Sequence, residues 1–587
     1  MKIEWELERH FYNGIDDPRL MEDVARYQEQ VSSFADAYRG RIASLSDDEF
    51  LDYLKATVEL GVIIEKVSMY LGSLMSLDSQ NQQVQRSAQK LQKLGAQLEE
   101  KLAFTDEEHK AVGHDRFMSL SRSEKFAPYR NYLVQQATTL KYILSEQEEL
   151  LLIKADAASD NNLYEELTTS FEFPFQGKMM TDDEVRAMRM SHDRQERLEA
   201  VRSIASVYSS KERQVVLGNL YSLVCKDGVF GVEARGYRSV MTSRNISEEV
   251  SDEAVDGLLA AVADMYPLYH RFLAEKKRML DIDDFAIHDV FAPVGNKTDD
   301  VIPFEKGWDM FMEVIGKVDP QQRVFAQEMA DDARISVFPK KGKVSGAYAN
   351  YGPHSPEIML LNWTDRPRDV TVLAHEMGHC WHGRLSKAQD PLVYSTPLTL
   401  AETASIFNET LMFESLLGAV DEGRRTAMVV ERLDDIFATI ARQICYTRFE
   451  RRCHEAFARN EPMTYDDYNA AWVEENVLLY GPDVAIDPEL IKSNWSAIPH
   501  IFHTPFYCYA YAFGNIISLN LVQQYKQAED KEAFMRKYHS FLAAGGSERP
   551  EDLLMKIFGI KMDEAFYATA LRGIEELMEM LKEPVAA

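Results

Sequence analysis

The sequence predicts a mainly α protein with a small β-sheet, and three observations carry that reading. Charged and apolar residues recur at helical spacing over long stretches. Strand signals are few and confined to two places. No repeat of fixed period and no low-complexity tract breaks the pattern. Residues 99–111 and 182–208 read as exposed amphipathic helices, dense in charge. Residues 168–175 alternate polar and aromatic side chains before Gln176-Gly177-Lys178, which reads as a hairpin turn. Over 252–280, Val255, Leu258, Leu259, Val262 and Met265 return every three or four residues, the stripe of a packed helix. Residues 334–363 hold the second strand signal: 335–338 and 358–361 are strand-like, with turns at 340–343 and 351–353 and Ser345-Gly346-Ala347-Tyr348 between them. Breaks near 115 and 205 divide the chain into an N-terminal helical region (1–115), a helical lobe with the hairpin (116–204) and a catalytic region (205–587).

Composition narrows the function. The 587 residues carry 65 Lys+Arg against 95 Asp+Glu, a net charge of −30. Every phosphate contact would start from repulsion, so a nucleic-acid partner is excluded and an anionic membrane surface disfavoured. Five scattered cysteines, with no pair at metal-ligand spacing, make neither a disulfide framework nor a metal site. With no apolar leader after Met1-Lys2-Ile3-Glu4, the expected compartment is the cytoplasm. Residues 493–525 contain no Asp, Glu, Lys or Arg, yet His500, His503, Asn515, Asn520 and Gln523 rule out a membrane helix. In so acidic a chain, that run reads as a buried cavity wall.

His375-Glu376-Met377-Gly378-His379 is the strongest motif, an HExxH. Pro367 suits a first helical turn, Thr364 or Asp365 could cap it, and Val370, Leu373, Met377 and Trp381 supply an apolar stripe. Four residues apart on a helix, His375 and His379 stack about 40° from one another, so both imidazoles reach one ion. Glu376, turned by about 100°, stands beside that ion as a base for water. Imidazole plus carboxylate suits one Zn2+ per chain, which lowers the pKa of its water to about 7. By chance alone the bare motif would arise in roughly 3 of 100 such chains, so it needs support from a third ligand.

A third histidine at the metzincin position is absent, because Leu385 stands there. A carboxylate from a following helix is the alternative: Pro397 opens a helical segment, and Glu402 and Glu409 lie on one face of it. Either could face the metal. Glu402, near the helix start, is better placed to ligate, and Glu409 to orient a ligand histidine or to sit on a solvated face. His382 lies a turn too far along for ligation and reads as a supporting or merely packed histidine.

The run His375 to His382, followed by Ala401-Glu402-Thr403-Ala404-Ser405-Ile406-Phe407-Asn408-Glu409, closely resembles the oligoendopeptidase F family of thimet-oligopeptidase-like zinc peptidases. Ser345 to Tyr348 with 358–363, Ile498-Pro499-His500 with 505–512, and 541–547 extend the resemblance, which covers roughly residues 285–565. It implies a two-lobed helical ellipsoid with a deep substrate channel, open to short unfolded peptides; the expected assembly is a monomer or homodimer. It also implies an oxyanion-stabilising role for His500 and Tyr507, with Tyr511, His503 and Tyr509 behind them as substrate contacts. Gly346-Ala347-Tyr348-Ala349 reads as an edge strand able to pair with an extended peptide backbone. The expected activity is zinc-dependent endopeptidase cleavage of oligopeptides, by Glu-assisted attack of zinc-bound water. The alternatives are a carboxypeptidase or dipeptidyl carboxypeptidase with the same site, which needs a cation to hold a terminal carboxylate, and a catalytically idle peptide-binding protein.

Overall fold

The structure is a computed structural model and describes residues 2–158, 163–295 and 301–581. It is mainly α, as the spacing predicts: helices make up 71% of it, and the strands form only two small sheets. The first is a hairpin of β1 (Phe173–Phe175) and β2 (Lys178–Met180). Its two-residue turn places Gln176 at φ 47° and Gly177 at φ 77°, the left-handed pair that matches the twist of a tight hairpin. The strand does not begin at 168 as the alternation suggests. Leu163–Thr169 is helical instead, because Tyr164 stacks on Phe502 at 4.1 Å and packing overrides the pattern. The helix expected over 182–208 is likewise two, Asp182–Met188 and Arg194–Tyr208, with Asp193 capping the second through Gln195 N–H at 2.7 Å.

The second sheet has β3 (Ile335–Ser336), β4 (Tyr348–Asn350) and β5 (Ile358–Leu360) in the order β3-β5-β4. β3 runs parallel to β5, and β4 pairs with it antiparallel, leaving β4 at an edge. The N-terminal residues strap this sheet. Trp5 Nε1 donates to the Arg334 and Met359 carbonyls at 3.0 and 2.9 Å, and Val337 N–H donates to Ile3 O.

Among the described residues, four apolar cores hold the fold together. The largest draws on residues 241–581 and includes the buried face of the helix carrying the HExxH motif, with Leu373, Ala374, Met377 and Cys380 fully buried. A second gathers Tyr221, Phe449, Trp495 and Phe502. A third joins N-terminal helices around Phe50, Phe117 and Phe126, and a fourth packs Trp5, Tyr12 and Tyr70 against Ile358 and Leu360 of β5. Burial accounts for the charge-free run: in the helix Tyr509–Gln527, every residue over 512–523 is buried in the main core. Asp47–Leu77 and Lys211–Arg235 are long and apolar enough to cross a membrane by length and composition. The first divides its apolar residues between the third and fourth cores, and the second sends Leu217, Tyr221 and Cys225 into the second. All five cysteines are buried and free.

Candidate metal and catalytic site

The motif helix spans Pro367–Ser386, with Pro367 in its first turn as expected. Its cap falls at Arg366 rather than at Thr364 or Asp365. Asp365 is held at φ 63°, and Asp369 reaches back to accept from the N–H groups of Thr364 and Arg366 at 2.7 and 3.0 Å. The sequence signal for a cap was real but lay inside the first turn, on Asp369.

A second helix, Thr403–Leu417, packs directly on the first, preceded by the short turn Leu398–Ala401. Glu402 is the residue between the two pieces, so the break in the helix presents its carboxylate. The two helices approach closely because Gly378 lacks a side chain. A Cβ there would lie 2.4 Å from Ala404 O and 2.5 Å from Ser405 Cα. Asn408 Nδ2 closes the contact on the Ala374 carbonyl at 3.2 Å.

At that contact three ligand atoms converge. His375 Nε2 and His379 Nε2 each lie 3.4 Å from Glu402 Oε2, and the three donors fall within 4.8 Å of one another. Two imidazoles and one carboxylate are a donor set suited to zinc. Ser405 Oγ donates to Glu402 Oε2 at 2.8 Å, fixing the carboxylate. Burial alone would raise Glu402, but the hydrogen bond and charge of His379, then His375, bring it down to about 2, so it is held as an anion.

Glu409 takes the orienting position. Its Oε2 lies 3.0 Å from His375 Nδ1, and Arg432 binds its other oxygen. Burial disfavours the Glu409 charge, yet Arg432 and His375 hold it down at about 2. Burial likewise works against charge on His375, while Glu409, Glu402 and Glu376 raise it to about 9. The field that favours a proton there is the field that favours a cation. His382 is buried, and burial lowers it to about 4; it bonds the Ala401 backbone and so serves as a packed, neutral prop for the turn before Glu402.

Glu376 stands beside the three ligand atoms at 6% exposure. Burial raises its pKa, opposed by His375 and His379 and by a hydrogen bond from the Ala349 backbone of β4. The edge strand thus touches Glu376 through its backbone. Gly346 (φ 79°) accepts from Asn362 Nδ2 at 2.7 Å, Ala347 packs half-buried on the main core, and the Tyr348 ring turns away to lie 6.4 Å from Trp5.

His500, Tyr507 and Tyr511 come together: the His500 ring centroid is 5.7 Å from Tyr507 and 6.0 Å from Tyr511, with Tyr511 Oη 3.4 Å from His500 Nε2. Burial keeps the Tyr511 hydroxyl protonated, and Tyr507 and Glu402 add to that effect. Tyr509 does not join them. It is fully buried and donates to Asn245 Oδ1 at 2.9 Å, so it cannot contact a substrate; two residues of helix turn it away from Tyr511 into the core. His503 is exposed but tied to Glu165 at 3.0 Å on the neighbouring Leu163–Thr169 helix. Two contributors escaped the sequence reading. Arg432 comes from the next helix, Glu422–Thr439, with no motif of its own. Tyr351, just after β4, is raised far by burial and feels Cys380, Glu402 and Glu376; a Cβ on Gly383 would strike its ring at 2.5 Å. That glycine two turns past Glu376 was the available signal.

A His-His-Glu triad that can hold an ion, with the buried carboxylate of Glu376 beside it, on a mostly helical body is the layout of a helical metallopeptidase. The chain belongs to Peptidase family M3, whose model matches residues 187–572, and it is a peptidase. It is 26% identical over 603 residues to the oligoendopeptidase F homolog of Lactococcus lactis subsp. lactis (strain IL1403), covering 98% of each chain. Over 605 residues it is 26% identical to the group B oligopeptidase PepB of Streptococcus agalactiae serotype III (strain NEM316), covering 100% of this chain and 97% of that one. The fold matches the crystal structure of oligoendopeptidase-F from Enterococcus faecium with a TM-score of 0.71 at 22% identity, covering 96% of this chain and 99% of that one. PZ peptidase A, solved with an inhibitor, matches with a TM-score of 0.72 at 16% identity, covering 96% and 97% of the two chains.

Proposed function

We propose that the chain is a zinc-dependent endopeptidase that hydrolyses internal bonds of short oligopeptides. The convergence of His375, His379 and Glu402 within 4.8 Å, with Glu376 beside them, carries the reading. Names of relatives that read oligoendopeptidase and oligopeptidase support it. When bound, zinc would polarise the scissile carbonyl and lower the pKa of a water to about 7. His375 offers Nε2 because its Nδ1–H donates to Glu409, and Glu402 completes the ligand set. Glu376 accepts the proton from water and hands it to the leaving amine, a task matched by a carboxyl that burial has made more basic. Tyr511, kept protonated, with Tyr507 and His500, can donate to a carbonyl oxygen as it gains charge. The β4 edge can pair with an extended peptide backbone while Ala349 holds Glu376.

The test is cleavage of an end-blocked, fluorescence-quenched peptide, with and without ortho-phenanthroline, with zinc restoration, and beside Glu376→Gln. Internal cleavage that the chelator stops, zinc restores and the mutant lacks is the expected result. No cleavage across a varied pool of blocked peptides, at full zinc loading, would overturn the endopeptidase reading.

A further inference from the structure

A cavity of about 260 Å³ lies beside His500. Three guanidinium groups line it: Arg186 and Arg189, at the end of the Asp182–Met188 helix, and Arg442 from the helix Ala441–Ala458. Among the described residues no acidic side chain lines it, in a chain whose net charge is −30. Asp182 holds Arg186 at 2.5 Å. Arg189 and Arg442 instead lie over the ring of Phe291, 4.9 and 5.4 Å from its centroid, and among the described residues no carboxylate pairs with either. Asp435 feels the Arg442 charge only at longer range. Among the described residues, three buried donors at this cavity have no hydrogen-bond partner, Arg186 Nη2, Arg442 Nε and Trp472 Nε1, beside two unpaired acceptors, Gln443 Oε1 and Asn494 Oδ1. Burial pulls Arg189 down to about 10, with Tyr480 opposing and the neighbouring Arg186 and Arg442 charges adding to the effect.

Gathered like charges and orphaned donors destabilise a fold unless something of opposite charge completes them. A planar carboxylate fits guanidinium forks in two-point fashion. The remaining wall is mixed: Ile287, Phe291, Trp472, Tyr480 and Ile498 give it an apolar and aromatic part, beside the polar Gln443, Asn476 and Asn494. A peptide's last residue brings a carboxylate and a side chain together from one carbon, so it would use both surfaces; an acidic side chain would use only the first. The cavity adjoins the chemistry through His500, which meets Tyr511, whose hydroxyl feels Glu402.

We propose that the cavity formed by Arg186, Arg189 and Arg442 binds the C-terminal carboxylate of a peptide with an apolar last residue, and so sets which bond lies at the His375–His379–Glu402 site. The inference rests on the peptidase reading above and supplies the fixed cation that a carboxy-terminal cleavage mode requires.

Calorimetry on zinc-loaded Glu376→Gln, which binds without turnover, tests it directly. One N-acetylated peptide is compared as the Phe-terminated free acid, as its amide, and as an amide with Glu in place of the Phe. The free acid should bind about tenfold or more tighter than its amide, the loss expected for a charge-assisted hydrogen bond. Adding Arg189→Met and Arg442→Met should erase the difference, and lysine at both positions should restore part of it. Equal affinity of acid and amide overturns the proposal, and this comparison needs no arginine variant to fold. Equal affinity of the Phe acid and the Glu amide overturns the terminal assignment in favour of a side-chain carboxylate. Turnover of a peptide blocked at both ends should survive the double arginine change. Failure of the peptidase reading would show instead as no turnover of any peptide, with the binding comparison still readable.

Discussion

His375 Nδ1 lies 3.0 Å from Glu409 Oε2, two turns of helix beyond Glu402, which shares the candidate metal position with it. That contact assigns the imidazole proton to Nδ1 and leaves the Nε2 lone pair facing Glu402 and His379. Arg432 in turn fixes Glu409 and also donates to Thr410 Oγ1 at 3.1 Å, so the orientation of one ligand is determined three residues deep.

Glu409→Gln and Arg432→Met should each weaken zinc affinity by about 10–100-fold, the usual cost of losing support behind a ligand histidine. Competition against a fluorescent zinc chelator reads this without any turnover assay. Unchanged affinity in both variants would remove Glu409 from the metal centre.

Gly378→Ala should be among the most damaging single-methyl changes in the chain. The new Cβ meets backbone at 2.4 Å, which no rotamer change can relieve, so the two ligand-bearing helices must part. We expect a loss of about 1–3 kcal/mol in denaturant unfolding, together with weakened zinc binding. Wild-type zinc affinity in the variant would show that the pair tolerates separation.

Tyr511→Phe and Tyr509→Phe should behave oppositely although the residues are neighbours in sequence. Removing the Tyr511 hydroxyl should lower kcat by about 10²–10³-fold if it donates to the developing oxyanion. Removing the Tyr509 hydroxyl leaves buried Asn245 without that donor, so it should cost about 1 kcal/mol of stability and little of kcat. Equal kinetic effects would refute the assignment.

Stability should carry a pH signature from Glu450. It accepts from Phe506 N–H at 2.7 Å beneath the loop that leads from His500 to Tyr511, where Phe506 is held at φ 60°. Burial, opposed by that bond and by Arg244, pushes its pKa up to about 8. The folded chain therefore keeps a proton that the unfolded chain releases near the ordinary carboxyl value of 4.5. Between those limits unfolding releases a proton, so this group's contribution falls as pH rises from about 4.5 to about 8 and is level outside that window. His454, one turn along the same helix and lowered to about 4, acts in the opposite sense as pH falls below 6.5. Subtracting a Glu450→Gln variant, in urea titrations at pH 5 and pH 8, isolates the carboxyl. Identical pH dependence in both proteins would contradict it.

Much of the candidate metal site was legible because the chemistry such a site needs fixes its spacing. Two histidines one turn apart and a glutamate opening the next helix are constraints written within thirty residues, and Glu402 and Glu409 follow from them. Arg432 was not legible, since an arginine on a charged amphipathic helix looks like any other until the helices pack. The cap was misplaced for a similar reason: Asp365 has the right chemistry, but its backbone turns left-handed and Asp369 does the bonding instead. Nothing local separates Tyr509 from Tyr511 either, because their faces depend on where the helix begins, at Tyr509 itself. The arginine cavity joins positions 186 and 189 to 442, a pairing that only the folded chain makes.

The strap formed by Trp5 also sets an order of assembly. Its indole partners lie 329 and 354 residues downstream, so a ribosome must deliver most of the chain before the sheet can close on it. Contacts that distant are slow to form, because the intervening chain must first be brought round. The edge strand that bonds Glu376 belongs to that sheet, and it is secured only when both distant segments have met. The glutamate of the HExxH motif thus has its backbone contact at Ala349 secured through a tie to the first residues of the chain.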